Sequence, residues 1–368
     1  MKIPFVDLKT QYQSLKPELD SAIQQVINET AFIKGKYVQN FEASYSDAYG
    51  VKHVISCGNG TDAIYISLKA LGIGPGDEVI TTALSWISTS ETITQTGAKV
   101  VFVDIDPNFY TIDVKKIEEK ITSRTKAIIP VHIYGQAANM TEIMSIAKNY
   151  NLKVIEDCAQ AHFAQWQGQN VGTIGDIGTF SFFPGKNLGA YGDAGGIITN
   201  NDELALKLRM YSNHGALIKH HHQIEGINSR LDGIQAAVLS VKLNHILTWN
   251  KSRRMHAKLY SDLLLGEEIL TPVIDPNSTH VFHLYVVQHK YRDRLQKHLK
   301  DNGISTGIHY PTALPFLKAY KYLGHSDIDF PNAHRTQNRI LSLPIFPELT
   351  KDQIYYVCDN LKVAISKV

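Results

Sequence analysis

A lysine and an acidic residue lie in segments that could do chemistry together. Lys186 follows an apolar strand-like run in FSFFPGKNLGA (180–190), and Asp157 closes an upstream strand-like run in EDCAQ (156–160). A lysine in a partly desolvated loop can lose its proton and form a Schiff base. A carboxylate can keep a pyridine nitrogen protonated, which makes the ring an electron sink. Together they indicate pyridoxal 5′-phosphate (PLP) chemistry, whereas either alone also fits a surface lysine or a strand-end carboxylate.

A turn of small residues is the third element. The sequence GNGTDA (58–63) lies between a short strand-like segment at 53–56 and a helix-like segment at 64–71. Small residues that open a helix present free N–H groups and the positive end of the helix dipole, and a phosphate fits there. A turn that only caps its helix has the same pattern. The turn matches neither the dinucleotide-binding sequence G-x-G-x-x-G nor the P-loop.

With these segments in view, the chain resembles the DegT/DnrJ/EryC1/StrS family of nucleotide-sugar aminotransferases, which are fold-type I, aspartate-aminotransferase-like PLP enzymes. The resemblance runs nearly end to end. Matching segments lie at 3–8, 74–80, 101–106, 226–232, 309–311 and 341–344. The resemblance implies PLP as the cofactor, pyridoxamine 5′-phosphate (PMP) as its form between the two half-reactions, and an aminotransferase activity.

The resemblance also implies roles for individual residues. Lys186 and Asp157 would be catalytic, Lys186 through a Schiff base with PLP and Asp157 through a salt bridge to the pyridinium nitrogen. The other expected cofactor-binding residues are Gly60, Thr61 and Ser181 at the phosphate, Trp86 stacked on the ring, Gln160 at the phenolic oxygen, and Asn228. For Trp86, a core aromatic that opens a helix is the alternative. Asn228 would reach the phosphate of the neighbouring subunit, which implies a homodimer with shared active sites.

Substrate-binding residues are expected from the same resemblance. Arg230, His309 and Tyr310 match positions that surround the hexose in related enzymes. Their structural alternatives are a helix cap for Arg230 and a turn residue before Pro311 for Tyr310. The implied amino donor is L-glutamate, and the implied acceptor is a nucleotide-linked keto-sugar destined for amino sugars such as those of lipopolysaccharide.

The position of amination on the sugar ring and the nucleotide of the substrate are inferred from two shorter segments. Segments 226–232 and 307–331 resemble the branch that aminates C3 of dTDP-linked 3-keto-6-deoxyhexoses. UDP-linked 3-keto-N-acetylhexosamine uronates are the close alternative, followed by C4-keto-sugars. The stereochemistry and the downstream pathway stay open at this point.

Two positions distinguish this chain within the family. The family usually has glycine after the histidine of Ala-His-Gly-Ala, whereas this chain has AHFA at 161–164, with Phe163 in place of glycine. Phe163 could narrow the pocket, but filling core space is the favoured interpretation. The related sugar dehydratases have histidine in place of the Schiff-base lysine, and Lys186 argues against that branch.

The elements that must position these residues alternate between strand and helix, which indicates an α/β fold with a mostly parallel seven-stranded sheet. Strands are predicted at 54–56, 78–81, 99–103, 127–131, 154–156, 178–182 and 196–199. Ligands bind at the carboxyl ends of such strands. Gly58, Asp157 and Lys186 each come just after a strand, so the sequence predicts one shared crevice.

Two domains are predicted, a large PLP-binding α/β domain at 1–245 and a smaller C-terminal α+β domain at 246–368. The length supports two lobes, because single cores stop growing near ~250–300 residues. A continuously helical pattern at 232–264 predicts a long connector between them. Beyond it we expect a strand at 280–288 and helices at 292–302 and 351–364.

Composition excludes several classes of protein. The net charge of +2 gives no reason to expect nucleic acid as a partner. The opening residues lack the apolar run of a signal peptide, and no apolar stretch of ~20 residues occurs, so we expect no membrane partner and a cytoplasmic protein. Cys57, Cys158 and Cys358 have no metal-like spacing and predict free thiols. No metal site is predicted at 220–222 (HHH) either, because three consecutive residues cannot all point at one ion and no cysteine or carboxylate flanks them. A solvated loop near a nucleotide diphosphate is the favoured interpretation.

Two rival functions are disfavoured by particular residues. A catalytically silent PLP-binding or regulatory protein would lack the lysine or the acid, and both are present. A nicotinamide-dependent sugar oxidoreductase would need the G-x-G-x-x-G turn that this chain lacks.

Overall fold

The computed structural model describes residues 1–367. Its helices are α1 (Leu8–Asn28), α2 (Lys36–Tyr49), α3 (Gly60–Ala70), α4 (Ser88–Gln95), α5 (Met140–Tyr150), α6 (Asp202–Tyr211), α7 (Gly233–Leu243), α8 (Ile246–Leu263), α9 (Arg292–Asp301), α10 (Pro331–Gln337) and α11 (Lys351–Ile365). Its strands are β1 (His53–Cys57), β2 (Glu78–Thr82), β3 (Lys99–Val103), β4 (Thr125–Ile129), β5 (Lys153–Asp157), β6 (Gln165–Trp166), β7 (Gln169–Asn170), β8 (Ile177–Ser181), β9 (Gly195–Thr199), β10 (Ser278–Thr279), β11 (Tyr285–Gln288) and β12 (Ile340–Leu343). None of the helices in this range combines the length and apolar character that a bilayer crossing requires.

A seven-stranded sheet forms the centre of the molecule, as predicted. Its strand order is β1-β9-β8-β5-β4-β2-β3, and only β9 runs against its neighbours. All five residues of β2 and all five of β9 are buried, because helices cover both faces of the sheet. The predicted α/β class with a mostly parallel sheet is confirmed.

Two hydrophobic layers cover the two faces of this sheet. Alternate strand residues point to opposite faces, so Val154 belongs to one layer and its neighbour Ile155 to the other. The first layer includes Phe41 of α2, and the second includes Leu68 of α3.

A smaller lobe is built around the antiparallel pair of β11 and β12. Helices α8, α9 and α11 pack on this pair, and Tyr260, Tyr285 and Leu361 are buried in the shared core. Ile3 joins the same core through a bridge to Ile304, so the start of the chain is tied to the far lobe.

The predicted connector helix and the first strand of the second lobe differ from the structure. The helical pattern at 232–264 is divided, because α7 ends at Leu243 and α8 begins at Ile246. The predicted domain boundary falls in this break and stays a prediction. Strand β11 begins at Tyr285 and not at 280, because Phe282 has a φ of 44° and leaves the extended region.

Phe163 fills core space, which is the role that the sequence favoured. Its ring centroid lies 4.3 Å from that of Tyr49, and its backbone N–H donates to the Tyr49 hydroxyl at 2.7 Å. The residue is only 7% exposed, yet its φ of 61° lies in the left-handed region where glycine is at ease. Aromatic packing therefore outweighs backbone strain at this position.

This balance predicts the order of stability of two variants. Phe163→Ala should lower the free energy of unfolding by about 3–5 kcal/mol, because it leaves a cavity. Phe163→Gly removes the same ring but also relieves a left-handed strain of ~1–2 kcal/mol, so its loss should be smaller. Equilibrium urea denaturation of the cofactor-free protein measures both. If the glycine variant were less stable than the alanine variant, the proposed backbone strain at position 163 would be contradicted.

Candidate active site

Three parallel-running strands end at one edge of the sheet. Strand β5 ends at Asp157, β8 ends at Ser181, and β1 ends one residue before Gly58. Strand β9 is antiparallel to both β1 and β8, so β1 and β8 point the same way, and β5 is parallel to β8. The predicted crevice at the carboxyl ends is therefore where the structure brings these residues together.

Asp157 is a buried carboxylate, 5% exposed. Its Oδ2 accepts a hydrogen bond from the Thr89 hydroxyl at 2.8 Å, and its Oδ1 accepts one from the Ala159 N–H at 3.1 Å. Burial raises its pKa, while these two bonds and the charge of Lys186 oppose the rise. Within residues 1–367, no cation pairs with it at salt-bridge distance. A protonated ring nitrogen would supply the missing positive partner.

Lys186 lies half-buried in the loop between β8 and β9. Burial lowers its pKa from the usual 10.5 to about 8, with the negative charge of Asp157 acting in the opposite direction. A substantial fraction of the amine is therefore neutral near physiological pH, which a nucleophilic lysine requires.

The loop that carries Lys186 is anchored by buried polar side chains. Asn187 donates from its side-chain amide to Asn250 Oδ1 at 2.8 Å and to the Val281 carbonyl at 3.1 Å. The buried Lys242 amine donates to the Gly189 carbonyl at 2.7 Å. The sequence had not indicated these anchors, because their partners lie far along the chain.

The start of α3 can bind an anion. Asn59 caps the helix by accepting the Asp62 N–H at 2.8 Å, whereas the N–H groups of Gly60 and Thr61 have no acceptor within the helix. A Cβ added to Gly60 would lie 2.7 Å from the Cβ of Ser181, so only glycine lets this helix begin against β8. The predicted phosphate residues Gly60, Thr61 and Ser181 are therefore adjacent.

Two side chains near the sheet edge, Gln160 and Trp86, have a donor hydrogen and a ring face that a ligand could contact. Gln160 accepts the Tyr134 N–H at 2.6 Å and donates to the Tyr310 hydroxyl at 2.9 Å, which leaves one of its two amide hydrogens free. Trp86 is 58% exposed, and its ring lies 5.6 Å from that of Tyr310. Through these two contacts, Tyr310 of the smaller lobe lies against two of the predicted cofactor-binding residues.

His309 lies at the same lobe contact. Its Nδ1 is 2.8 Å from the Ser342 hydroxyl, its ring stacks on Phe5 at 5.5 Å, and its carbonyl accepts a hydrogen bond from the Tyr134 hydroxyl. Burial, with the nearby charge of Lys186, lowers the pKa of His309 to about 4. It would therefore contact a substrate as a neutral hydrogen-bonding group.

Asn228 and Arg230 lie beside the phosphate loop. Asn228 is exposed, while Arg230 lines a cavity of about 210 Å³ together with Lys34 and Arg209. Between them, the buried Ser229 was not predicted as a site residue. Its hydroxyl accepts the Gly58 N–H at 2.9 Å and donates to Asp62 Oδ2 at 2.6 Å, which ties this segment to the loop. The role of Asn228 in a partner's site stays a prediction.

A buried His132–Glu156–Cys158 cluster lies nearby. Glu156 accepts backbone N–H groups of Gly172, Ile174 and Gly175 as well as the His132 ring at 3.0 Å. These bonds engage both carboxylate oxygens and support the turn before β8.

The residues of this site fit PLP. The site combines a buried acid that has no cationic partner among residues 1–367, an amine of lowered pKa, free N–H groups at a helix start, and an exposed indole ring. These are the donors and surfaces that a phosphorylated pyridine aldehyde needs.

Comparisons with known proteins agree with the geometry. The model of the DegT/DnrJ/EryC1/StrS aminotransferase family matches residues 13–362. The chain is 48% identical to a pleiotropic regulatory protein of Geobacillus stearothermophilus, with 98% of each chain covered. It is 43% identical to the UDP-N-acetyl-3-dehydro-alpha-D-glucosamine 3-aminotransferase of Acidithiobacillus ferrooxidans, covering 96% of this chain and 95% of that one. It is 42% identical to the dTDP-3-amino-3,6-dideoxy-alpha-D-galactopyranose transaminase of Aneurinibacillus thermoaerophilus, covering 97% and 98%.

Solved structures show the same fold. DesV from S. venezuelae superposes with a TM-score of 0.97 at 38% identity, covering 100% of this chain and 99% of that one. NtdA from Bacillus subtilis, solved with the cofactor PMP bound, has a TM-score of 0.90 at 34% identity, covering 99% and 85%. The expected fold-type I architecture is confirmed.

The lowered pKa of Lys186 predicts how cofactor uptake depends on pH. Only the neutral amine attacks an aldehyde, so the rate at which the cofactor-free protein takes up PLP should rise with pH and level off above about 8. Asp157 favours the charged amine, so Asp157→Asn should move the midpoint to lower pH. Stopped-flow absorbance measures the rate, with Lys186→Ala as the control. A midpoint near the ordinary lysine value of 10.5 would contradict the prediction.

Proposed function

We propose that this chain, which belongs to the DegT/DnrJ/EryC1/StrS aminotransferase family, transfers an amino group from L-glutamate to C3 of a nucleotide-linked keto-sugar. The family makes the chain a PLP-dependent aminotransferase. The observation that carries the proposal is the placement of Asp157 at the end of β5 and of Lys186 in the loop after the adjacent strand β8, each with an environment that suits its role.

Each catalytic residue has a defined task in this proposal. PLP, when bound, would supply an aldehyde that can carry the amino group and an electron-poor ring that stabilises negative charge at the reacting carbon. Lys186 holds and moves the proton at its Nζ, which its lowered pKa permits near neutral pH. Asp157 would pair as a carboxylate with the ring nitrogen of the bound cofactor, and the exposed indole of Trp86 would cover one face of the ring.

The smaller lobe contributes the expected sugar contacts. His309 and Tyr310 enter the crevice from this lobe, and both are neutral because burial lowers the pKa of the histidine and raises that of the phenol. Neutral donors and acceptors suit hydroxyl groups of a hexose. Arg230 lies beside the loop that begins α3.

Position 3 is supported by the names of the relatives. The proteins at 43% and 42% identity are named for a 3-aminotransferase reaction and for a 3-amino sugar, the first on UDP and the second on dTDP. We propose a dTDP-linked 3-keto-6-deoxyhexose as the substrate, on the likeness of segments 226–232 and 307–331. A UDP-linked 3-keto-N-acetylhexosamine uronate is the second candidate, favoured by a relative at 41% identity named for a 3-oxo-glucuronate.

A purely regulatory function is disfavoured, although one close relative is named a regulatory protein. A protein that only senses PLP has no need of a buried acid and an amine of lowered pKa at the same edge of the sheet. Both are present here with their supporting hydrogen bonds.

A homodimer is part of the proposal. Asn228 is exposed beside the phosphate loop, Leu217 lines the same cavity as Arg230, and Ile218 and Ile224 are also exposed shortly before Asn228 in the sequence. Apolar side chains grouped at a functional edge are typical of a subunit contact. The cytoplasmic location expected from the sequence stays part of the proposal.

Substrate preference is tested with chemically made keto-sugars. With L-glutamate as donor, we expect the C3-keto dTDP-6-deoxyhexose to be aminated with a kcat/KM at least ~100-fold above that of its C4-keto isomer, because a misplaced carbonyl leaves polar groups of the site unpaired. Mass spectrometry quantifies the product, and NMR assigns the ring position. The UDP uronate is the competing substrate, and Lys186→Ala is the inactive control. Preferred amination of the C4-keto isomer would contradict the proposal.

The shared site is tested by mixing two inactive chains. A Lys186→Ala chain and an Asn228→Ala chain, refolded together, form a mixed dimer in which one site has both residues intact, if Asn228 acts across the interface. Random mixing should then restore about a quarter of the wild-type activity. If Asn228 serves its own chain, the mixed dimer stays inactive. Native mass spectrometry establishes that mixed dimers have formed.

A further inference from the structure

Thr89 links the buried hydroxyl of Ser85 to the carboxylate of Asp157. Its Oγ1 lies 2.8 Å from Asp157 Oδ2 and 2.8 Å from the Ser85 hydroxyl, and Thr89 is 1% exposed. An ionised carboxylate can only accept hydrogen bonds, so Thr89 donates its single hydroxyl hydrogen to Asp157. Ser85 must then donate to Thr89. The result is a directed chain from Ser85 through Thr89 to Asp157.

We propose that Thr89 is a positioning residue of the aminotransferase site, which holds the Asp157 carboxylate charged and oriented toward the place where the ring nitrogen of the cofactor binds. The proposal depends on PLP as the cofactor and not on the identity of the sugar. Its failure would therefore leave the proposed substrate untouched.

The Thr89 hydroxyl, at the second position of α4, bonds outside its own helix. A threonine in a helix commonly bonds a carbonyl of the preceding turn, and Thr92 does so in the same helix, at 2.8 Å from the Ser88 carbonyl. The Thr89 hydroxyl instead leaves helix α4 and reaches a strand-end residue 68 positions away. The bond is therefore a specific tertiary contact.

Four titratable groups lie close to Asp157, in addition to the Thr89 hydroxyl that donates to it. The titratable groups that face it are Lys186 from the β8–β9 loop, His132 from the segment after β4, Tyr310 from the smaller lobe, and the adjacent Cys158. Burial raises the pKa of Asp157, and the Thr89 hydrogen bond is the strongest opposing influence. A hydrogen bond from Ser85 into Thr89 strengthens that bond further, because linked bonds polarise one another.

The same turn also positions the indole. The Thr89 N–H donates to the Trp86 carbonyl at 3.2 Å, so the residue expected to cover the ring and the residue that holds the acid belong to one rigid turn. A shift of Thr89 would therefore disturb both contacts to the ring.

Binding of PMP tests the proposal without involving catalysis. PMP carries the pyridine nitrogen but forms no bond to Lys186, so its dissociation constant, measured by isothermal titration calorimetry, reports on the ring contacts. Thr89→Val should weaken PMP binding roughly 10- to 100-fold at neutral pH, as expected for a lost hydrogen bond to a charged group. The deficit should grow as the pH falls, because Asp157 then takes up a proton more readily.

Two matched variants separate positioning from packing. Thr89→Ser keeps the hydroxyl and should bind PMP within ~3-fold of the wild type, and so should Thr92→Val, which makes the same substitution one turn away. If Thr89→Val does not fold, Thr89→Ala carries the same expectation.

A double substitution provides the decisive comparison. In an Asp157→Asn background, Thr89→Val should weaken PMP binding by less than ~3-fold, because the charge that Thr89 supports is gone. The proposal is overturned if Thr89→Val binds PMP as tightly as the wild type, if Thr92→Val loses as much affinity, or if the loss is undiminished in the Asp157→Asn background.

Discussion

The site is organised around one carboxyl group that is buried inside the protein. Asp157 closes a strand whose other residues are largely buried in the sheet, and burial favours its neutral form. The surrounding protein offers it a hydroxyl and a backbone N–H but no salt-bridge partner in residues 1–367. This incomplete compensation makes the site receptive to a cationic ring, because such a ligand relieves an existing electrostatic deficit.

The order of the strands explains how distant residues meet at this carboxylate. Strands β5 and β8 are neighbours, and β1 points the same way although β9 separates it from β8. The acid, the phosphate loop and the loop of Lys186 therefore leave the sheet at one edge. Tyr310 also contacts this site, because its hydroxyl accepts a hydrogen bond from Gln160.

The sequence predicted the sheet well, and it placed Asp157 and Lys186 after strands, whereas their catalytic roles stay predictions. The seven strands are short apolar runs ended by turns, and Asp157 and Lys186 belong to continuous motifs around them. The break between α7 and α8 was missed because local periodicity continues through it. Thr89 and Ser229 were missed because their partners lie 68 and 167 positions away, and no local pattern reports such contacts. Roles that depend on a second chain, such as that of Asn228, stay predictions.

The aromatic packing of Phe163 has a consequence for the energetics of cofactor exchange. Gln160 lies between Asp157, fixed by the sheet, and Phe163, fixed by its contact with Tyr49. The short segment between these two anchors is therefore ordered before any ligand arrives. Because little conformational entropy remains to be lost there, this segment adds little to the entropic cost of binding either PLP or PMP.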